Sequence, residues 1–158
     1  EWASNNTWAS TGRGEENNSA PDGNDKNLML GYLDTNATDP NSVTVSGLSF
    51  DGPYNVYVYT KGGVPGRGGE YTIGGTTLSH EDVAAFDGTY EYGAQGDVLV
   101  FTGVSGDSFT LNGMPSIGGT PRAPINGIEI STQLVPEPSS LSLLALGAFA
   151  LFGVRRRR

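Results

Sequence analysis

The chain has 158 residues, no cysteine and 17 acidic against nine basic side chains, for a net charge of −8. Without cysteine there is no disulfide framework, no thiolate nucleophile and no cysteine metal site. Four of the nine bases are the final residues Arg155, Arg156, Arg157 and Arg158, so residues 1–138 stand at −12. A part so acidic is no partner for nucleic acid or anionic lipid, and it suits divalent cations and neutral glycans.

Glycine at 24 positions and proline at nine sit among many Ser, Thr, Asn and Asp, which is turn-rich chemistry. About 135 residues are enough for one buried core. Helical periodicity is nearly absent before Pro136, and short alternating runs replace it. Thr11 to Asn27 is polar, without an aliphatic core residue, and reads as a long loop. Leu28 to Leu33 reads as a strand, and Val43 to Leu48 alternates cleanly. Tyr54 to Thr60 has the strongest strand pattern, with β-branched and aromatic residues. Gly62-Gly63-Val64-Pro65-Gly66-Arg67-Gly68-Gly69 reads as a flexible connection. It is no phosphate loop, because it lacks the Gly-Lys-Ser/Thr ending.

Glu70 to Ile73 and Thr76 to Leu78 flank Gly74-Gly75, a two-residue hairpin signal. His80 to Ala85 is a candidate for one helical turn. Thr89 to Tyr92, Asp97 to Thr102, Ser108 to Leu111 and Gly127 to Thr132 complete eight or nine short strands. The pattern predicts an all-β domain over residues 1–135, an antiparallel β-sandwich or jelly roll. Its expected core includes Val56, Val58, Val98, Val100, Phe109, Leu111, Ile128 and Ile130, at alternating positions within their strands.

Candidate chemistry is sparse. A Ser-His-Asp arrangement would have to use His80, the only histidine, and a polar turn makes that side chain a solvated one. Paired carboxylates of a glycosidase are possible among 17 acids, but no spacing singles a pair out. Asp22, Asn24 and Asp25 cluster oxygen ligands around Gly23 and form the favoured calcium candidate. Asp34, Asn36 and Asp39 form a second group, and turn chemistry alone accounts for both. Tyr57 and Tyr59 share one strand face. They make a glycan-stacking platform if Val56 and Val58 point inward, and otherwise they cover a second sheet or a loop. Trp8 reads as a hydrophobic plug at the sandwich edge.

The C-terminus is tripartite. Pro136-Glu137-Pro138 precedes an uncharged segment, Ser139 to Val154, and the four arginines follow. As a helix, 139–154 would span roughly 24 Å at about 1.5 Å per residue, short of a hydrocarbon core of about 30 Å. The arginine stems can close the difference, with their guanidiniums at the headgroups. A basic cluster stays cytoplasmic, which places everything before Pro136 on the far side of the membrane.

This tail resembles the PEP-CTERM sorting signal of Gram-negative bacteria. The resemblance implies that exosortase, a membrane protease and transpeptidase, is the partner that processes it. It further implies an inner-membrane-anchored precursor that then reaches the cell surface or extracellular matrix. A secretory leader is expected to precede Glu1. A plain single-span anchor is the alternative, but it has no need of Pro-Glu-Pro.

A second resemblance rests on Tyr54 to Tyr59, Gly96 to Phe101 and Asn126-Gly127-Ile128-Glu129-Ile130. These look like strands of galactose-binding-like jelly rolls, in which an Asn-x-Ile-x-Ile closing strand runs antiparallel through the core. That resemblance implies polysaccharide binding and, in some members, a structural calcium. The resulting expectation is a non-enzymatic display protein that takes a neutral polysaccharide. An envelope polysaccharide hydrolase and a purely structural matrix protein are the alternatives.

Overall fold

The computed structural model describes residues 1–9, 11, 23–36, 38–117 and 120–133. The strands in chain order are β1 (Trp2–Ala3), β2 (Asn6–Ala9), β3 (Gly31–Asp34), β4 (Asn41–Ser46), β5 (Tyr54–Tyr59), β6 (Arg67–Ile73), β7 (Thr76–Glu81), β8 (Val98–Val104), β9 (Ser108–Ile117), β10 (Thr120–Pro121) and β11 (Gly127–Ser131). Among the described residues one helix, α1 (Asn24–Leu30), lies between β2 and β3.

A five-stranded sheet runs β1-β4-β9-β6-β10, a three-stranded sheet runs β11-β5-β8, and β2 pairs with β3. Within these sheets every strand pairing is antiparallel except that of β10 with β6. The all-β expectation therefore holds, as two facing sheets. The C-terminal helix expected over 139–154 lies outside the described residues. Among the described residues no helix is long and apolar enough to cross a membrane.

The core fills the space between the two sheets. Tyr54, Val56 and Val58 of β5 and Leu99 and Phe101 of β8 meet Tyr71, Ile73, Phe109 and Leu111 of the larger sheet. Val43, Leu111 and Ile73 stand in register across β4, β9 and β6, so they share one face. Ile128 and Ile130 of β11 pair with Val58 and Val56 and pack half-buried against this core.

Strand β8 departs from expectation. Leu99 and Phe101, not Val98 and Val100, oppose Val58 and Val56, although Val98 is still buried, on the opposite face across from Tyr59. Within an unbroken apolar run, alternation cannot fix which parity points inward, and a one-residue change inverts the face.

Other local expectations also shift. Leu28 to Leu30 end helix α1 rather than begin a strand. Asp25 sits in the helix's first turn, where the dipole favours an anion, and Met29 is the buried residue. The apolar triplet was compatible with either period. His80 and Glu81 continue β7 instead of turning into a helix. Thr89 to Tyr92 supplies only a single bridge, between Tyr92 and Val98.

The glycine run does not stay a loop to its end, because Gly68 and Gly69 are ladder residues of β6. A Cβ on Gly69 would lie 2.5 Å from the Met114 carbonyl oxygen and 2.8 Å from the Ala123 side chain. Absence of a side chain there permits close backbone packing rather than flexibility.

Candidate functional site

Tyr57 and Tyr59 of β5 lie on the face away from the core, whereas Tyr54 joins the core, and the outer face is covered. Tyr57 is 2% exposed. Its ring meets Tyr92 edge to face with centroids 6.3 Å apart, and its hydroxyl donates to the Gln133 carbonyl at 3.2 Å. Tyr59 is half-buried, meets Tyr90 at 5.2 Å and donates to Glu129 Oε2 at 3.0 Å. Met29 of α1 and Phe86 join Tyr59 and Tyr90 in a second apolar cluster. The connection 82–97 and helix α1 thus close over the strand. The external platform drawn from Tyr57 and Tyr59 is corrected accordingly: the valines do point inward, but a loop lies over the tyrosines.

Of the calcium candidates, Asp22 lies outside the described residues. Asn24 and Asp25 open α1, and Asp25 Oδ1 already accepts the Tyr90 hydroxyl at 2.8 Å. In the second acidic group, Asn36 Oδ1 accepts the Thr38 and Asp39 N–H groups at 2.8 and 2.6 Å. That is the side-chain-to-backbone closure of an Asx turn. Among the described residues no group of three or more His, Asp or Glu is placed to hold a metal ion.

The chemistry that sequence reasoning missed is buried. Lys61 follows β5, Asp82 follows β7 and Asp97 precedes β8, so three strand ends deliver three charges to one point. The side chains are nearly sealed, at 2%, 0% and 5% exposed. Lys61 Nζ lies 2.9 Å from Asp82 Oδ1 and 3.1 Å from Asp97 Oδ1, and it donates to the Ala84 carbonyl. Asp82 Oδ2 accepts the Gly62 N–H at 3.1 Å. Asp97 Oδ2 accepts the Glu91 N–H at 2.9 Å.

Backbone bonds pin the same residues. The Asp82 N–H donates to Arg67 O at 2.7 Å, and the Thr60 N–H donates to Asp97 O at 3.0 Å. Burial pushes the Lys61 ammonium toward losing its proton, but the two carboxylates outweigh that and hold its pKa above the usual lysine value. No spacing in the sequence announces this triad. The only signal was the presence of isolated charges beside strong strand patterns.

His80 borders the triad and is fully buried, which overturns the reading of a solvated loop histidine. Its Nε2 lies 2.8 Å from Gly96 O. A carbonyl only accepts, so Nε2 carries the proton and Nδ1 is the bare nitrogen. Nδ1 has no hydrogen-bond partner among the described residues. Burial lowers the His80 pKa, partly opposed by the Gly96 bond and the nearby carboxylates. The Tyr71 ring meets the imidazole edge to face. Alternation put His80 on the inward parity of β7.

A cleft of about 580 Å³ opens where the β6–β7 turn meets the β8–β9 hairpin. Buried Ile73, Phe101 and Phe109 line it together with exposed Thr76, Thr102 and Ser108. No charged side chain is among its lining residues.

Residues 134–158 match the family described as the PEP-CTERM protein-sorting motif. No curated protein and no solved structure matches the chain. The match spans the Pro-Glu-Pro sequence, the apolar segment and the arginine cluster. The chain therefore carries the PEP-CTERM sorting motif, the signal of an exported, membrane-passing precursor of Gram-negative bacteria and of an exosortase substrate.

Proposed function

We propose that this is a non-enzymatic display protein, released from its membrane-anchored precursor by exosortase and presented at the cell surface or in the extracellular matrix. The observation that carries this reading is the sorting motif at 134–158, which begins three residues after β11 ends at Ser131. So short a connection holds the sandwich close to whatever the processed chain is attached to.

A neutral polysaccharide is the ligand class that fits. The cleft combines apolar Ile73, Phe101 and Phe109 with the hydroxyls of Thr76, Thr102 and Ser108. Sugar C–H faces suit the former, and sugar hydroxyls suit the latter. The net charge of −12 on residues 1–138 repels polyanions unless a cation bridges them. The galactose-binding-like resemblance stays an expectation: β11 with its Asn-x-Ile-x-Ile pattern runs antiparallel to β5, but as the half-buried edge strand of the smaller sheet rather than through the core. The hydrolase alternative gains nothing from Asp82 and Asp97, whose carboxylates are sealed against Lys61.

Surface protease shaving and a neutral-glycan array on the purified protein test the reading. Cell-surface accessibility, with retention on a neutral glycan that Thr102→Val/Ser108→Ala weakens, is the expected result. Accessibility without any glycan retention would reduce the reading to structural display. A protein confined to the inner membrane would overturn it.

A further inference from the structure

We propose that Lys61 and Asp82 are joined by a spontaneous intramolecular amide bond, with Asp97 as the proton carrier. The geometry brings together a nucleophile, an electrophile and a proton acceptor, and the proton that the two carboxylates hold on Lys61 must first pass to Asp97. The nucleophile, Lys61 Nζ, is held 2.9 Å from Asp82 Oδ1, which fixes it beside the carboxyl group it attacks. Asp82 Oδ2 accepts the Gly62 N–H at 3.1 Å, so a backbone donor is already placed on the oxygen that becomes the oxyanion. A second carboxylate, Asp97, stands 3.1 Å from the same nitrogen, within reach of the protons that must move. All three side chains are at least nine-tenths buried, which excludes the water that would reverse the reaction.

The step balances without any co-reactant. The ammonium passes a proton to Asp97, and the neutral amine attacks Asp82 Cγ. A Nζ–Cγ bond forms, and the Cγ–Oδ1 bond breaks. The two protons lost from nitrogen leave with Oδ1 as one water molecule, carried there by Asp97, which returns to its carboxylate. Nothing is oxidised or reduced. Asp82 is the electrophile because it is the more deeply buried acid and its Oδ1 is the nearer to Nζ.

The bond would tie the end of β5 to the end of β7. In a chain without cysteine it is a covalent staple of the same kind as a disulfide, constraining the unfolded state through loop closure.

The test is peptide mapping of the folded full chain, purified in detergent from a host without exosortase. Intact mass alone does not decide, because Asp-Gly succinimides and N-terminal cyclisation also lose water. Digestion with trypsin and a glutamyl-specific protease separates Asp82 (in 82–91) from Asp97 (in 92–122). The expected product is a branched peptide joining Lys61 to Asp82, with cleavage after Lys61 blocked. It should be absent in Lys61→Arg, which keeps the charge, and in Asp97→Asn, which keeps the shape. Both variants should melt below the wild type. Free Lys61 and Asp82 peptides from a wild-type sample that shows a cooperative melt would overturn the proposal. A branch at Asp97, or one that persists in Asp97→Asn, would equally overturn the assigned roles.

Discussion

Tyr59 and Tyr90 meet edge to face with their centroids 5.2 Å apart, and Tyr90 in turn leans on Phe86 at 4.9 Å. This stack holds the connection 82–97 against the outer face of β5. It explains why a strand of the smaller sheet is buried on both sides. Phe86 is the anchor, being 2% exposed. Phe86→Ala should cost about 3–5 kcal/mol, as for other buried aromatic truncations. Urea unfolding measures it, and a loss under about 1 kcal/mol would mean the connection is not docked.

The face assignment of β8 gives a paired expectation. Phe101 points into the core opposite Val56, whereas Val100 opposes Tyr57 on the other face and is half-buried. Phe101→Ala should cost about 3–5 kcal/mol, and Val100→Ala at most about 1 kcal/mol. Equal losses would contradict the register.

Gly69 and Gly75 form a second pair. A Cβ on Gly69 would press on the Met114 carbonyl and Ala123, while one on Gly75 meets nothing within 4 Å. Gly69→Ala should destabilise by about 1–3 kcal/mol through forced backbone shifts. Gly75→Ala should change the unfolding midpoint by no more than about 0.5 kcal/mol. A tolerant Gly69 would mean that β6 and β9 are looser than drawn.

Two buried groups set the pH range. His80 has a lowered pKa in the folded state, so its contribution is complete above the unfolded value of about 6.5. It is lost as pH falls from there through the folded value, since unfolding takes up a proton. Tyr71 has a raised pKa, through burial first and Asp82 second. Its contribution is complete below the unfolded value of about 10 and is lost as pH rises through the folded one. The chain has one histidine, so its ring resonances are unambiguous by NMR. Their titration midpoint should lie below the free imidazole value of about 6.5. A titration midpoint at or above the free value would contradict the buried, singly bonded ring.

The strands were legible where apolar and polar residues alternate, as in Val43 to Val45 and Phe109 to Leu111. They were illegible where an apolar run offered two parities, as in Val98 to Phe101, or two periods, as in Leu28 to Leu30. Tyr57 and Tyr59 were correctly placed on one face, but what covers that face depends on the path of residues 82–97, a long-range fact with no local pattern. The triad of Lys61, Asp82 and Asp97 was invisible for the same reason. Each charge looks like a solvated loop residue until three strand ends converge. The sorting tail is the opposite case. Its meaning lies in order and composition alone, and it was readable without any fold.

The central claim is that the chain is exported and cut at its tail. The most direct measurement is the C-terminal mass of the protein recovered from the surface of a Gram-negative host carrying exosortase. The account predicts a chain that has lost the apolar segment and Arg155 to Arg158, and retention of the tail when exosortase is absent. Surface protein that still ends in Arg158 with exosortase present would contradict it.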